Sequence, residues 1–239
     1  MTLLVLDTAQ GLCTVALGRE GRVIASRSEP MTRGHQERLP VLVESVLAEA
    51  GIPASALKIV AATRGPGSFT GLRVGLAFAQ GLAAATGARP VGLSSLDALA
   101  VQAHLAEADS LAPIAAVMDA RRGQVYLALW GAADGADDPD PALVRPLIEA
   151  AAAMAIEDAT DLLKASGSTT GVIGSGTPLV SGTLLDAGGG EGPDPGALVQ
   201  LATLRADQPA PTGLEPLYLR APDATPPTRL PGQPRPDRV

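Results

Sequence analysis

Two stretches of the chain share a spacing that limits the fold more than any other feature. VLDTAQGLCTVAL (5–17) and VMDARRGQVYLAL (117–129) align without a gap, so that Asp7 matches Asp119 and Gly11 matches Gly123. Each reads as an apolar strand ending in Asp, a tight turn with glycine and an apolar return strand. Chance likeness between two hairpins is the alternative, because hairpins share turn chemistry. A duplicated, two-lobed fold would explain the repeat.

The order of the elements after the first hairpin predicts the layers of that fold. A third strand, a helix, a strand, a helix, a strand and a helix follow in the first half, which predicts an α/β fold with a mixed sheet covered by helices. The length of 239 residues suits two lobes that each bury a core. We predict an N-terminal lobe over 1–106, a C-terminal lobe over 107–220 and a Pro-rich tail over 221–239.

Two helices of the first half carry unusually long apolar stripes. HQERLPVLVESVLAEA places Leu39, Leu42, Val43 and Val46 on one face and stops at Gly51. The next helix, from about Gly71 to Gly87, is apolar nearly all round, with only Arg73 and Gln80 on its polar strip. A helix of this kind is buried on more than one side. We therefore expect a subunit contact involving both helices, the alternative being that the first helix alone covers the second. The four-residue step of Gly71, Gly75 and Ala79 would let another helix approach closely.

The second half is less regular. Residues 131–146 read as an exposed acidic loop, IEAAAAMAIEDATDLLKASG (148–167) as a helix, and GVIGSGTP as a strand that runs into a loop. DAGGGEGPDPG (186–196) predicts a flexible connector and DPGALVQLATLRAD a last helix. The tail has too many prolines to pack as regular structure.

A glycine-rich loop, GPGSFTGLR, opens the second helix. It lacks the lysine of a mononucleotide loop, and Thr70 stands where the dinucleotide pattern needs glycine. Gly65 and Gly67 permit tight backbone geometry, Thr70 could cap the helix, and free N–H groups, with Ser68, could bind an anion. A purely structural strand-to-helix turn explains the same residues equally well, and both interpretations stay open.

Composition excludes several function classes for the chain by itself. The formal net charge is −7 and aromatic residues make up 2%, so neither clustered cations nor stacking platforms are available for direct RNA binding. The two histidines, His35 and His104, are not at ligand spacing, and no nucleophile motif supports a triad of Ser68, His35 and Asp7. We expect no metal site.

Asp7 and Asp119 are the best acidic candidates. They could flank a cleft between the lobes, where a kinase-like protein would hold a metal and nucleotide phosphates. Alternatively, each carboxylate caps its own turn. We favour capping for Asp119 and leave Asp7 open as a vestigial nucleotide-site acid.

Cys13 and the N-terminus indicate a cytoplasmic protein. The single cysteine allows no internal disulfide and reads as a small buried hydrophobe. The first apolar run lacks a basic leader and is too short for a signal or membrane segment.

Several segments together resemble the TsaB (YeaZ) family. They are LLVLDTAQGLCTVAL, GHQERLPVLVESVL, ATRGPGSFTGLRVGLAFAQGLA, PVGLSSLDALA, MDARRGQVYLALW and LEPLYLR. The resemblance implies a two-lobed actin-like, sugar-kinase-like ATPase fold built from duplicated RNase H-like lobes. It also implies a non-catalytic scaffold subunit of the bacterial machinery that places threonylcarbamoyl on the tRNA adenosine beside the anticodon.

The resemblance further implies the partners and the absence of a metal. The related catalytic subunit, TsaD, holds a metal through two histidines of a helix, and Ser95 and Leu99 stand in their places here. TsaD and an ATPase, TsaE, are the implied partners, with a homodimer when the chain is alone, tRNA contacted only through the complex and no membrane. ATP and metal would belong to the partner subunits. The implied contact residues on the two helices are Leu39, Leu42, Val43, Val46, Leu72, Gly75, Leu76 and Ala79.

Two other functions remain as alternatives. One is an ATP-dependent phosphotransferase of the same fold, with Asp7 as metal ligand. The other, with less support, is a peptidase related to proteins once called glycoproteases, for which the chain offers neither metal ligands nor a nucleophile.

Overall fold

The structure, a computed structural model, describes residues 1–106, 112–131, 147–167, 170–180, 185–186, 190–208 and 213–220. These residues form two five-stranded sheets and five helices longer than one turn. The strands are β1 (Thr2–Asp7), β2 (Leu12–Arg19), β3 (Arg22–Pro30), β4 (Ile59–Gly65), β5 (Arg89–Ser94), β6 (Ile114–Arg121), β7 (Gln124–Trp130), β8 (Leu147–Ala155), β9 (Gly171–Ile173) and β10 (Leu185–Asp186). The helices are α1 (His35–Ala50), α2 (Phe69–Thr86), α3 (Ser95–Ala106), α4 (Ile156–Ser166) and α5 (Pro195–Ala206).

The two sheets have the same topology. The first sheet runs β3-β2-β1-β4-β5 and the second runs β8-β7-β6-β9-β10. In each sheet, the first three strands in sequence form an antiparallel meander. The fourth strand then pairs in parallel with the first, and the fifth pairs in parallel with the fourth. The matched hairpins 5–17 and 117–129 occupy equivalent places. This confirms the duplicated, two-lobed α/β fold that the repeat and the resemblance predict.

Helices cover the N-terminal sheet on both faces. Leu4 and Leu6 of β1 pack under α1 and α2, while Leu3 and Val5 point to the other face. That second face is covered by α5 and by part of α3, so a helix from the second half of the chain completes the N-terminal core.

The C-terminal sheet is covered in a reciprocal way. Leu96, Leu99 and Ala103 of α3 pack against Met118 and Trp130 on one face of this sheet. The helix α4 covers the other face through Ala159 and Leu163. Thus α3 packs in the core of the C-terminal lobe, and α5 packs in the core of the N-terminal lobe. This exchange of helices joins the two lobes through their cores. The boundaries at residues 106 and 220 stay a prediction.

The predicted helix over 148–167 is wrong in its first half. Residues up to Ala155 form the edge strand β8, which pairs with β7, and only Ile156–Ser166 is helical. Cross-strand pairing overrides the high helix propensity of the alanine run. Of the predicted acidic loop 131–146 only Gly131 is described, and the tail 221–239 lies outside the described residues. Along those that are described, none of the helices has the length and apolar content needed to cross a bilayer.

Candidate functional site

The loop between β4 and α2 is held by the turn between β1 and β2. The Ser68 N–H donates to the Ala9 carbonyl at 2.7 Å, and the Gly71 N–H donates to Ser68 Oγ at 3.2 Å. Ser68 is therefore the N-cap of α2, whereas Thr70, the predicted cap, lies exposed in the first turn. Because two of the loop's N–H groups are already used within the chain, the geometry favours the structural interpretation of the loop over an anion site.

Glycines of this segment allow close contact with the same turn. A methyl group on Gly67 would overlap the Ala9 carbonyl oxygen, and one on Gly71 would overlap the Thr8 carbonyl oxygen. At Gly75 the Thr8 hydroxyl occupies the equivalent space. We predicted that Gly71 and Gly75 would admit a second helix. Instead, they admit the β1–β2 turn of their own lobe.

Asp7 is fully buried at the end of β1. Its Oδ1 accepts hydrogen bonds from the Ala9 N–H at 2.9 Å and from Thr63 Oγ1 at 2.6 Å, so the side chain caps its turn and ties β1 to β4. Its Oδ2 is buried without a hydrogen-bond partner among the described residues. Burial raises the pKa of the Asp7 carboxyl, while the two hydrogen bonds and nearby His35 act in the opposite direction.

Asp119 occupies the equivalent position in the C-terminal lobe and has the predicted capping role. Its Oδ1 accepts from the Arg121 N–H at 2.7 Å, and its other oxygen pairs with the Arg121 guanidinium at 3.0 Å. Arg121 itself has a positive φ of 64°, a strained conformation that the cap helps to hold.

A short segment from the second half covers Asp7. The Gly11 N–H donates to the Glu191 carbonyl at 3.0 Å, and Gly192 lies against Asp7 Oδ2 and Leu12. The Asp194 N–H donates to Gln102 of α3 at 2.9 Å, and the Asp194 side chain caps α5. In this arrangement the Asp7 carboxyl is fully buried beneath the segment around Gly192. The part of the predicted flexible connector that is described is thus packed between the lobes.

The histidines do not converge on a site. His35 is buried at the start of α1 and His104 lies in the last turn of α3. Ser95 and Leu99, at the positions where the resemblance expects metal-binding histidines, are fully buried. Within the described ranges, no three His, Cys, Asp or Glu side chains are grouped so that they could hold a metal ion.

The eight predicted contact residues are buried in the chain's own core. The seven that carry side chains beyond Cα are at most 5% exposed, and Gly75 is buried against Thr8. The longest apolar stripe of an amphipathic helix faces its own sheet, which is where these side chains point. This corrects the choice of side chains; the expectation that both helices meet a partner stays a prediction. The eight are Leu39, Leu42, Val43, Val46, Leu72, Gly75, Leu76 and Ala79.

The exposed side of α2 is largely apolar, whereas the exposed side of α1 is mostly polar and carries Val41 as its large apolar residue. Val41 of α1 is 47% exposed and Phe69 of α2 is 53% exposed. Along α2, Ala77 and Gly81 are exposed and Phe78 is half-buried. We call this the outer face. A single apolar residue on a surface is ordinary, but the apolar exposed side of α2, together with Val41 of α1, is typical of an interaction site.

The outer face contains an open groove between α1 and α2, with a volume of about 490 Å³. We call it the α1–α2 groove. It is lined by Gln36, Leu39, Phe69, Thr70, Arg73, Val74, Ala77 and Phe78.

Aromatic and cationic groups cluster at the groove. The Arg73 guanidinium lies 3.9 Å from the centre of the Phe69 ring, and its Nε donates to Tyr218 Oη at 3.2 Å. The rings of Phe69 and Tyr218 are 5.5 Å apart between centroids. Exposed Tyr and Arg in such a cluster are typical anchor residues of interfaces. The sequence interpretation missed Phe69 and Tyr218, although Phe69 lies off the apolar stripe and LEPLYLR was part of the resemblance.

The chain is similar to one family model over part of its length and to several known proteins. A family model described as "TsaD: tRNA N6-adenosine threonylcarbamoyltransferase" matches residues 23–139. The tRNA threonylcarbamoyladenosine biosynthesis protein TsaB of Escherichia coli (strain K12) is 38% identical over 128 residues, which are 54% of each chain. The chain thus spans about half the length of this curated relative. An uncharacterised protein of Mycobacterium tuberculosis (strain H37Rv) is 35% identical over 227 residues, 94% of each chain.

Solved structures extend the likeness over both lobes. A Pseudomonas aeruginosa protein described as similar to peptidase YeaZ has a TM-score of 0.75 at 30% identity, over 92% of this chain and 99% of that one. YeaZ from Pseudomonas aeruginosa has a TM-score of 0.72 at 30% identity, over 91% and 99%. Since identity and fold agree over nearly the whole length of YeaZ, the chain belongs to the TsaB (YeaZ) family.

Proposed function

We propose that the chain is a non-catalytic subunit required for threonylcarbamoyl modification of the tRNA adenosine beside the anticodon. Its family membership supports this proposal, because relatives are named tRNA threonylcarbamoyladenosine biosynthesis protein TsaB. The match to a TsaD-type family model is consistent with a common origin and a shared fold of this chain and the catalytic subunit.

The outer face is the observation that carries the proposed role. It offers exposed apolar surface on α2, next to Val41 of the neighbouring helix α1, with Phe69, Arg73 and Tyr218 as anchors. We propose that a TsaD-type subunit binds here and that a second copy of the chain takes the same place when it is alone. The eight buried residues of α1 and α2 listed above would support this face from beneath.

The proposed lack of catalysis rests on the two places where chemistry would be expected. Asp7 is covered by the segment around Gly192, and Ser95 and Leu99 supply no imidazole. ATP and metal would then be bound by the partner subunits, a TsaE-type ATPase among them, and tRNA would be contacted only through the complex. The acidic net charge of −7 supports the indirect contact with RNA.

Gly81→Arg tests the surface without disturbing the fold. A side chain at Gly81 would enter open space, and arginine is a better helix former than glycine, so the variant should fold at least as well as the parent. Placing an unpaired charge in an apolar interface should weaken binding to a TsaD-type subunit by about tenfold or more, since about 1.4 kcal/mol corresponds to tenfold. Isothermal titration calorimetry would measure this change.

Ala165→Arg is the matched control. Ala165 is an exposed position of α4 on the C-terminal lobe, so the same charge there should leave the dissociation constant unchanged. Gly75→Arg cannot serve as a test, because it would displace Thr8 inside the lobe. A Gly81→Arg variant that binds as tightly as the Ala165→Arg variant would contradict the proposed contact.

A further inference from the structure

A segment in the second half of the chain crosses from the N-terminal lobe to the C-terminal lobe. We call residues 213–220 the strap; it has no regular secondary structure. Its first residues lie on the N-terminal sheet, where the Gly213 carbonyl oxygen lies against Gly92 of β5 and Leu214 is buried in the core. Its last residues lie on the other lobe, where Leu219 packs against the core cluster of the C-terminal sheet. The strap therefore has an anchor in the core of each lobe.

The middle of the strap forms part of the outer face. The Leu217 N–H donates to the Arg64 carbonyl at 2.7 Å, and Tyr218 comes next. The Tyr218 ring lies 5.5 Å from the Phe69 ring between centroids, and its hydroxyl accepts from Arg73 Nε at 3.2 Å. Because Tyr218 is 45% exposed, these contacts with α2 cover only part of its side chain. The residues that hold the strap on either side of Tyr218 therefore help to decide where its ring lies.

Directly after Tyr218 the strap is fixed to the C-terminal lobe. Leu219 packs in the core cluster of that lobe, and Arg220 Nη1 donates to the Ala120 carbonyl at 2.9 Å. Ala120 lies near the end of β6, at the turn that joins β6 to β7. Since Tyr218 is one residue from the first of these anchors and two from the second, both restrict its position. A ring that lies on the N-terminal lobe is thus held in part from the C-terminal lobe.

The turn that Arg220 contacts is strained. Arg121 and Arg122 have successive positive φ angles of 64° and 56°. This conformation is unfavourable for residues that carry a side chain, so it persists only where surrounding contacts hold it. The Asp119 cap is one such contact, and the hydrogen bond from Arg220 to the turn is another. Release of Arg220 should therefore let the turn relax.

We propose that Arg220 is a positioning residue for the outer face: its hydrogen bond to the β6–β7 turn holds Tyr218 in that face, and release of Tyr218 relaxes the turn in return. Such coupling is reciprocal, because the free energy that one contact adds to the other is the same in both directions. A TsaD-type subunit that covers Tyr218 would thereby hold the turn in its strained conformation. This consequence rests on the proposed function, whereas the coupling within the chain does not.

Amide signals of the β6–β7 turn test the coupling in the isolated full chain by NMR. Arg220→Met removes the donor to the turn and keeps a long side chain, so the signals of residues 121–123 should shift. Phe69→Ser acts from the other lobe, at a position that is 53% exposed, by removing the ring beside Tyr218. It should move the same signals along the same line and less far, because shifts in fast exchange follow the populations of two states.

The reverse direction is measured on the outer face. In the parent chain, the rings of Tyr218 and Phe69 should give nuclear Overhauser effects, since they are in contact. Arg220→Met should weaken these effects, although Arg220 is bonded to the other lobe.

Arg19→Met is the matched control. Arg19 is exposed and pairs with Thr2, at the opposite end of β1 from the β1–β2 turn. The variant removes the same charge from the N-terminal lobe without removing a contact of the strap. It should leave the signals of residues 121–123 and the effects between the two rings unchanged.

Three results would overturn the proposal. One is that Phe69→Ser leaves the signals of residues 121–123 in place, which would make the response to Arg220→Met a local one. Another is that Arg220→Met leaves the effects between the two rings unchanged. The third is that Arg19→Met moves the turn signals as far as Arg220→Met does, which indicates a general effect of charge.

Calorimetric titration with a TsaD-type subunit tests the consequence for the partner. Arg220→Met should weaken binding by roughly 2- to 10-fold, because Tyr218 then has to be ordered on binding. In a chain that already carries Tyr218→Ala, Arg220→Met should have no further effect, since Arg220 acts through Tyr218. An equal loss in both backgrounds would contradict the positioning role. If no TsaD-type subunit binds any variant, the proposed function fails and the NMR result is unaffected.

Discussion

Asp7 is a carboxyl group placed where water does not reach it. Its hydrogen bonds to the Ala9 N–H and Thr63 Oγ1 hold the β1–β2 turn, which in turn holds the loop before α2. Burial makes the charged form costly, and this raises the pKa of the carboxyl above its ordinary value of 3.8. Ionisation of this buried carboxyl therefore lowers the free energy of unfolding, although its hydrogen bonds remain.

Asp7→Asn should alter the pH dependence of stability in one direction. Below pH 3.8 the carboxyl is protonated in both states, and its contribution to folding is complete. The unfolded state ionises from about pH 3.8 upward, while the native state keeps its proton up to its higher pKa. The contribution is therefore lost as the pH rises through the native pKa. Asparagine does not ionise, so the free energy of unfolding of the variant, relative to the parent, should increase as the pH rises from 4 to the neutral range. Urea unfolding at a series of pH values measures it; a difference that does not depend on pH would contradict the burial argument.

At the scale of single residues, the sequence predicted what a side chain does better than it predicted which residues that side chain contacts. Asp119 caps its turn as expected from turn chemistry, and Cys13 is a buried thiol whose pKa burial raises to about 11. The sequence could not show that Ser68 rather than Thr70 caps α2. It also could not show that Leu72 faces its own sheet, because helical periodicity identifies an apolar stripe and not what covers it.

The helix α2 carries two kinds of glycine, and their substitution should have opposite effects. At Gly75 a methyl group would overlap the Thr8 hydroxyl, so Gly75→Ala should destabilise the protein by about 1–3 kcal/mol. At Gly81 a methyl group meets open space, and Gly81→Ala should stabilise it by up to about 1 kcal/mol through helix propensity. Urea unfolding of both variants measures the difference. Equal effects would mean that the contact with Thr8 does not hold α2.

The elements were predictable where the local pattern and the final packing agree. The helix α1 ends at Gly51 in the left-handed conformation, as its glycine predicts, and the meander β1–β3 follows the predicted order. Residues 148–155 are the exception, because four successive alanines favour a helix locally. Their strand conformation depends on β7, a partner in the sheet that sequence patterns within the segment do not reveal.

On the scale of the whole molecule, the crossed helices should make the two lobes unfold together. Val199 of α5 is fully buried against the N-terminal sheet, close to Gly18 and Leu3. Val199→Ala should therefore lower stability by about 1–3 kcal/mol. Trp130, the only tryptophan, is buried in the C-terminal lobe. Its fluorescence should report the same shift in urea midpoint as far-UV circular dichroism.

Separate behaviour of the lobes would contradict this coupling. If Val199→Ala moved the transition seen by circular dichroism while the Trp130 transition stayed in place, the lobes would be independent units. Leu163→Ala is the reciprocal variant, because Leu163 of α4 packs only in the C-terminal core cluster. It should shift both signals equally as well.

The late position of α5 in the chain has a consequence during synthesis on the ribosome. The N-terminal sheet is complete with Ser94, yet the helix that closes its second face begins only at Pro195, about 100 residues later. At roughly 5–20 residues per second, translation leaves the part of this face that α5 covers exposed for about 5–20 seconds. During every round of translation, the nascent protein therefore exposes an apolar sheet surface that chaperones can bind.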